Sequence, residues 1–200
     1  MKNYILLALI SVFTFSSCKK DDPVQEVDQE QLSTATLIFT PVDKEIKDGK
    51  TVYTPKLDEE VHTMKFEGPT YLPEVGAHLH LHVGETYKLE LKTTDFAGRA
   101  SEKTFLNRHE NHQAFLIGAN NTELELEYGD ETNVGITAYI TVKKEKDSFV
   151  LNYVMRHLRP NVKQNIKATD WNNANYTQFT GDNDLDLKFE AHFVEEGHGH

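Results

Sequence analysis

Residues 78–92 read HLHLHVGETYKLELK, and this stretch predicts the fold. Apolar and polar residues alternate over 78–83 and again over 86–92, with Gly84-Glu85 between the two runs. Strict alternation is typical of a β-strand with one buried face, and a glycine between two such runs marks a turn. The stretch therefore predicts two half-buried strands with a turn between them.

The same pattern continues over most of the chain. Seven further β-rich runs are separated by turn residues, at 36–40, 61–66, 114–117, 122–128, 136–142, 149–155 and 185–194. Eight or nine short strands with turn signals between them are typical of an antiparallel β-sandwich. We therefore expect an all-β fold, an antiparallel β-sandwich with immunoglobulin-like topology. The best helical candidate is a short turn around 161–168.

Composition excludes several classes of protein. The 200 residues are 38% hydrophobic, which is enough for one domain with an apolar core and excludes a wholly disordered chain. The formal net charge of −11 argues against a nucleic-acid partner, which would require a basic surface. A single cysteine, Cys18, excludes a disulfide framework.

The N-terminus carries an export signal. Residues 1–17 read MKNYILLALISVFTFSS, with one lysine, an apolar run and two serines before Cys18. These are the zones of a secretory signal, and the apolar run is too short to span a bilayer comfortably. An ordinary signal peptide followed by an incidental cysteine is one interpretation of this pattern.

The small residues before Cys18 also resemble the lipobox of bacterial lipoproteins. This resemblance implies cleavage before Cys18 and a lipid anchor on it. The sequence KKDD at 19–22 resembles the surface-export signal of Bacteroidota lipoproteins, which implies a surface-exposed outer-membrane protein. The expected organisation is a signal peptide over 1–17, a lipidated cysteine and flexible acidic tether over 18–34, the sandwich over 35–194 and a flexible tail over 195–200.

Three histidines share one face of the first quoted strand. His78, His80 and His82 alternate with leucines, and successive side chains of a strand point to opposite faces. The leucine face is expected to enter the core, because burying three imidazoles would leave ring nitrogens unpaired. The histidines are then a row on the outer or rim face. They are either ordinary solvated side chains or metal ligands.

Geometry limits how the row can bind an ion. A strand rises about 3.3 Å per residue, so His78 and His82 lie about 13 Å apart and cannot share an ion in a regular strand. One His-x-His pair can converge on an ion if other segments supply further ligands. The expected donors are His109, Glu110 and His112.

Accessory capture of a cation is predicted for His62 and for the tail histidines His198 and His200, although the tail can equally be an incidental polar end. His157 is interpreted as structural or surface, and His192 receives no role. Imidazole with carboxylates suits a transition ion rather than Ca²⁺ or Mg²⁺. The sequence does not decide between Zn²⁺ and Cu²⁺, and zinc is expected on availability alone.

Four segments resemble a family of uncharacterised Bacteroidota lipoproteins. They are AHLHLHVGETYKLELKTTDFAG at 77–98, HENHQAFLIG at 109–118, NYVMRHLRP at 152–160 and TGDNDLDLKFEAHF at 180–193. The resemblance covers about 60–194. It implies an outer-membrane lipoprotein that works beside a TonB-dependent receptor in metal acquisition, and it emphasises His78, His80, His82 and His112.

Three functions follow as hypotheses. The first is non-enzymatic capture or delivery of Zn²⁺ or Cu²⁺ by a lipid-anchored protein. The second is an adhesion or receptor-partner module that presents the aromatic loop 170–181, although such aromatics more often pin a loop to the sandwich. The third is a metalloenzyme, because the His-x-His strand resembles that of copper–zinc superoxide dismutases. The chain lacks their disulfide and long zinc loop, so we do not expect an enzyme.

Overall fold

The computed structural model describes residues 32–195, and eleven β-strands lie within that range. In chain order they are β1 (Leu32–Lys47), β2 (Lys50–Pro55), β3 (His62–Glu67), β4 (Leu72–Pro73), β5 (His78–His82), β6 (Thr86–Asp95), β7 (His112–Ile117), β8 (Leu124–Tyr128), β9 (Thr137–Val142), β10 (Lys146–Leu158) and β11 (Gly181–Val194). One α-helix, α1 (Lys103–Asn107), precedes β7. The predicted signal peptide, Cys18, His198 and His200 lie outside the described residues.

The strands form two sheets. Strands β4-β3-β1-β6-β9-β8 follow one another in the seven-stranded sheet, where β2 also pairs with β1. The four-stranded sheet has the order β5-β11-β10-β7. Its β5–β11 pair is parallel, and the other strand pairs are antiparallel. The predicted all-β sandwich is confirmed, and its immunoglobulin-like topology stays a prediction.

The turn at Gly84 moves the chain from one sheet to the other. Strand β5 belongs to the four-stranded sheet and β6 to the seven-stranded sheet. Gly84 has φ +88°, in the left-handed region that glycine adopts without a Cβ clash. Leu81 before the turn and Leu89 after it enter the same core. The quoted stretch therefore joins the two layers of the sandwich.

Aromatic rings fill the space between the sheets. Phe39 of β1 and Phe66 of β3 meet Phe189 of β11 edge to face, with centroids 6.2 and 5.9 Å apart. Leu79 and Leu81 are buried beside them, at 1% and 0% exposure. The prediction that the leucine face of β5 enters the core is confirmed.

The structure differs from the sequence-based predictions in three respects. Strand β1 begins at Leu32, inside the segment predicted as a tether, because Leu32 is buried in the core. The short strands β2 and β4 raise the count from nine to eleven. Helix α1 was not expected, since its five residues are too few to show a helical period. Among residues 32–195, no helix is long and apolar enough to cross a bilayer.

The aromatic loop 170–181 is pinned to the sandwich. Trp171 enters the core, and Phe179 stacks on Phe115 with centroids 5.8 Å apart. The ring centroids of Tyr176 and Phe115 lie 5.7 Å apart. The Arg156 guanidinium lies over the Tyr176 ring, with Cζ 5.5 Å from the ring centroid. The loop's aromatics thus make contacts within the domain, as the pinning interpretation expects.

Truncating Leu81 tests this burial. Leu81→Ala should lower the free energy of unfolding by about 2–5 kcal/mol, because it leaves a cavity in a closed core. His80→Ala, one residue away on the opposite face, should change it by no more than about 0.5 kcal/mol. Urea denaturation of both variants makes the comparison. Equal losses would contradict the orientation of β5.

Candidate metal centre

Two histidines and an aspartate meet at one end of the four-stranded sheet. His112, His157 and Asp184 each place one ligand atom within 4.8 Å of the others. His112 Nε2 lies 3.0 Å from Asp184 Oδ2, and His157 Nδ1 lies 3.8 Å from Asp184 Oδ1. Imidazole nitrogens with a carboxylate oxygen are ligands that Zn²⁺ and other transition ions accept. We call this group the triad, and it could hold a metal ion.

Strand register brings the two histidines together. His112 of β7 and His157 of β10 are direct Cα partners, and their ring centroids lie 4.6 Å apart. Their side chains have the same parity along the strands as Ala114 and Tyr153, which enter the core. The triad therefore lies on the inner side of the sheet, at the end of the sandwich.

A β-bulge delivers the carboxylate. Met155 of β10 pairs with Leu185 of β11, whereas Arg156 pairs with Asn183, so Asp184 is an extra residue without a partner across the ladder. An extra residue breaks the alternation of faces and re-aims a side chain. In a regular strand, Asp184 would face away from the core, because its neighbour Leu185 is buried in it.

The triad is only partly open to solvent. The side chain of His112 is 0% exposed, that of Asp184 10% and that of His157 33%. Phe105 of α1 packs edge to face on His112, with centroids 5.2 Å apart. Solvent and ions therefore reach the group from the side of His157.

The hydrogen bonds of His112 require a proton or a metal ion between its Nε2 and Asp184. Its Nδ1 lies 2.9 Å from the backbone oxygen of Arg108, and a carbonyl can only accept, so Nδ1 carries a hydrogen. In a neutral ring Nε2 then has a lone pair, and it faces an Asp184 oxygen at 3.0 Å. Two acceptors this close need a proton or a metal ion between them. Anchoring of Nδ1 on a carbonyl is also typical of histidines that bind metal through Nε2.

Lys163 fixes the segment that precedes β7. Its Nζ donates to the backbone oxygens of His109, His112 and Thr132, at 2.7, 2.7 and 2.8 Å. Three donors meet three acceptors, so the ammonium is fully hydrogen-bonded. Burial lowers the pKa of Lys163 to about 8, which still leaves it mostly protonated at neutral pH.

The two other predicted ligands near His112 are not in the triad. The side chains of His109 and Glu110 are half or more exposed, and they lie 3.9 Å from each other. His109 lies in the turn before β7, where its backbone oxygen accepts a hydrogen bond from Lys163. Of the segment RHENH, the structure brings His112 alone to the group.

The row on β5 does not share an ion with His112. Strands β5 and β7 are opposite edges of the four-stranded sheet, which places them about 14 Å apart at three strand spacings. His78, His80 and His82 also lie on the outer face, because Leu79 and Leu81 between them are buried. The expectation that a pair from this row completes its site with His112 is therefore wrong.

His82 instead lines a cavity apart from the triad. This cavity of about 300 Å³ is bordered by His62, His82, Tyr87 and three glutamates, Glu59, Glu60 and Glu85, with Pro41 and Val83. Among the described residues, Nδ1 of His82 has no hydrogen-bond partner although it is buried. Burial lowers the pKa of His62 below its usual value of 6.5. His62 therefore shares a pocket with His82, and none of the triad residues lines that pocket.

Replacing His62 tests the pKa shift. The pKa of His62 is lower in the folded chain than in the unfolded chain, so the unfolded chain binds more protons at this residue as pH falls through 6.5. The contribution of His62 to the free energy of unfolding is therefore lost from about pH 7 toward pH 5. Glutamine does not titrate, so His62→Gln should lose less unfolding free energy over this interval than the wild type. Urea denaturation at both pH values measures the loss. Thr63→Gln, at an exposed neighbouring position, should behave as the wild type, and an identical loss in His62→Gln would contradict the shift.

Sequence analysis missed two residues of the triad. The sequence indicates a structural or surface role for His157. It does not predict Asp184 as a ligand beside the histidines, because the bulge that turns Asp184 inward leaves no mark in the alternation of β11. One sequence signal could have found His157. It follows the apolar run 149–155, and His109 and His112 precede the apolar run 114–117, so antiparallel pairing of these two runs would bring the histidines together. No protein-family model, curated protein or solved structure matches the chain.

Proposed function

We propose that this protein binds a divalent transition ion, Zn²⁺ or Cu²⁺, through His112, His157 and Asp184, and that it captures or delivers the ion without catalysis. The observation that supports this most directly is the contact between His112 Nε2 and Asp184, two acceptors that need a proton or a metal ion between them. A half-exposed His157 gives an ion access to the group. The acidic chain, at −11, raises the local concentration of cations.

We further propose that the protein works at the outer membrane, held by a lipid on Cys18. The lipobox-like residues before Cys18 and the KKDD sequence after it support this location. A TonB-dependent receptor is the proposed partner, to which a surface protein would pass its ion. A role as an adhesion module has less support, since Trp171 is buried in the core.

Metal binding by the triad is tested with His157→Ala. The variant should lose one equivalent of bound Zn²⁺, or bind it at least about tenfold more weakly, because one of three ligands is gone. Equilibrium dialysis of the full-length protein in detergent, followed by elemental analysis, measures both quantities. All proteins in the comparison carry His198→Ala and His200→Ala, which remove the tail as a competing ligand.

His109→Ala is the matched control, because this histidine lies near the triad in sequence but outside it in space. It should bind as the wild type does. Binding should also weaken as the pH is lowered, since protons compete with the metal ion for the imidazole nitrogens. Unchanged Zn²⁺ binding in His157→Ala would overturn the assignment.

Lipid attachment is tested with Cys18→Ser. The variant should incorporate no labelled fatty acid and should leave the membrane fraction, because it lacks the thiol that carries the lipid. Ser17→Ala keeps a small residue before the cysteine and should be labelled normally. Labelling of Cys18→Ser would show that the anchor is elsewhere.

A further inference from the structure

A second group of imidazoles lies on the outer face of the four-stranded sheet. His80 of β5 and His192 of β11 are Cα partners in the parallel pair, and the partner of His78 is Glu190. Ala191 and Phe193 are buried, so His192 faces outward as His78 and His80 do. The three rings form a cluster, with centroids 4.8 Å apart for 78 and 80, 4.7 Å for 80 and 192, and 5.9 Å for 78 and 192.

These separations match those of a shared metal ion. Three imidazoles that bind one ion tetrahedrally at about 2.0–2.1 Å place their ring centroids about 5 Å apart. The observed distances, from 4.7 to 5.9 Å, lie on both sides of that value. Both strands can therefore stay in place, and only side-chain rotation is needed to turn a nitrogen of each ring toward a common centre.

Two of the rings present a lone pair. His78 Nδ1 lies 2.9 Å from the backbone oxygen of Gly76 and donates to it, which leaves the lone pair on Nε2. His192 Nε2 lies 3.2 Å from Glu190 Oε1 and donates to it, which leaves the lone pair on Nδ1. Ser148 Oγ holds the same carboxylate, and this hydrogen bond lowers the pKa of Glu190. Carbonyl and carboxylate partners of this kind orient the histidines that bind metals.

The cluster exists because β5 pairs with β11 in parallel. Strand β5 alone spaces its outward histidines by about 6.6 Å, and the neighbouring strand lies about 4.8 Å away. The register Glu190↔His78 and His192↔His80 adds the third ring beside the first two. His82 extends beyond this group and lines the cavity with His62 instead.

The cluster is separate from the triad. Asp184 and His192 are eight residues apart on β11, which corresponds to about 26 Å along a strand. The triad faces the inner side of the sheet, whereas these rings face outward. An ion at one position therefore leaves the ligands of the other unchanged.

We propose that His78, His80 and His192 form a second site for a divalent transition ion, with Glu190 positioning His192. The site is at the surface and takes Zn²⁺ or Cu²⁺, the ions that accept imidazole ligands. It does not depend on the proposed function of the triad. If both sites bind, the protein carries two equivalents, one exposed and one mostly buried.

The experiment counts Zn²⁺ in full-length protein carrying His198→Ala and His200→Ala. Equilibrium dialysis against Zn²⁺ should give two equivalents in this background, one after His192→Ala or His80→Ala, one after His157→Ala, and none after His192→Ala and His157→Ala together. His82→Ala is the matched control, since it removes an outward histidine of the same strand, and it should keep two. Urea denaturation of each variant verifies that it is folded.

Cu²⁺ bound to the His157→Ala protein gives an independent readout. Its electron paramagnetic resonance spectrum should show nitrogen couplings that are lost with His192→Ala. The proposal is overturned if His192→Ala and His80→Ala both keep two equivalents, or if His82→Ala loses the same equivalent. Loss with His192→Ala but not with His157→Ala would instead overturn the function proposed for the triad and leave the surface site standing.

Discussion

The structure depends on which face of each strand must be buried. Leu79 and Leu81 are removed from water, which stabilises the fold by roughly 1.5–3 kcal/mol for each fully buried side chain. A register slip of one residue would exchange leucines for imidazoles in the core and leave ring nitrogens unpaired. The apolar residues thereby determine where the histidines of β5 lie, although they contact no ion themselves.

The two histidine groups arise from different departures from an ideal antiparallel sheet. At one end, an extra residue in β11 brings Asp184 to His112 and His157 on the inner side. At the other, parallel pairing of β11 with an edge strand places His192 beside His80 on the outer side. The same strand thus contributes to both groups, and regular alternation separates them by face. Burial distinguishes them chemically, because a desolvated carboxylate interacts more strongly with a cation than an exposed one does.

The local sequence pattern was sufficient to predict the strands and to predict which face of β5 is buried. All nine β-rich runs became strands, since β-branched, aromatic and alternating residues are visible within a few positions. The pairing of β5 with β11 was not predictable, because about 110 residues separate them in sequence and nothing local specifies a parallel neighbour. The outward orientation of His192 was readable from its place between Ala191 and Phe193, but its partners were not. Asp184 was missed because a bulge appears only when two strands are aligned.

The ammonium of Lys163 has a kinetic consequence. Three main-chain oxygens converge on it, including that of His112, and Phe105 covers the ring of the same histidine. The inner half of the triad is therefore held in place, whereas the side chain of His157 is 33% exposed at the rim. Under the proposed function, an ion would enter and leave the triad on the side of His157, without opening of the domain.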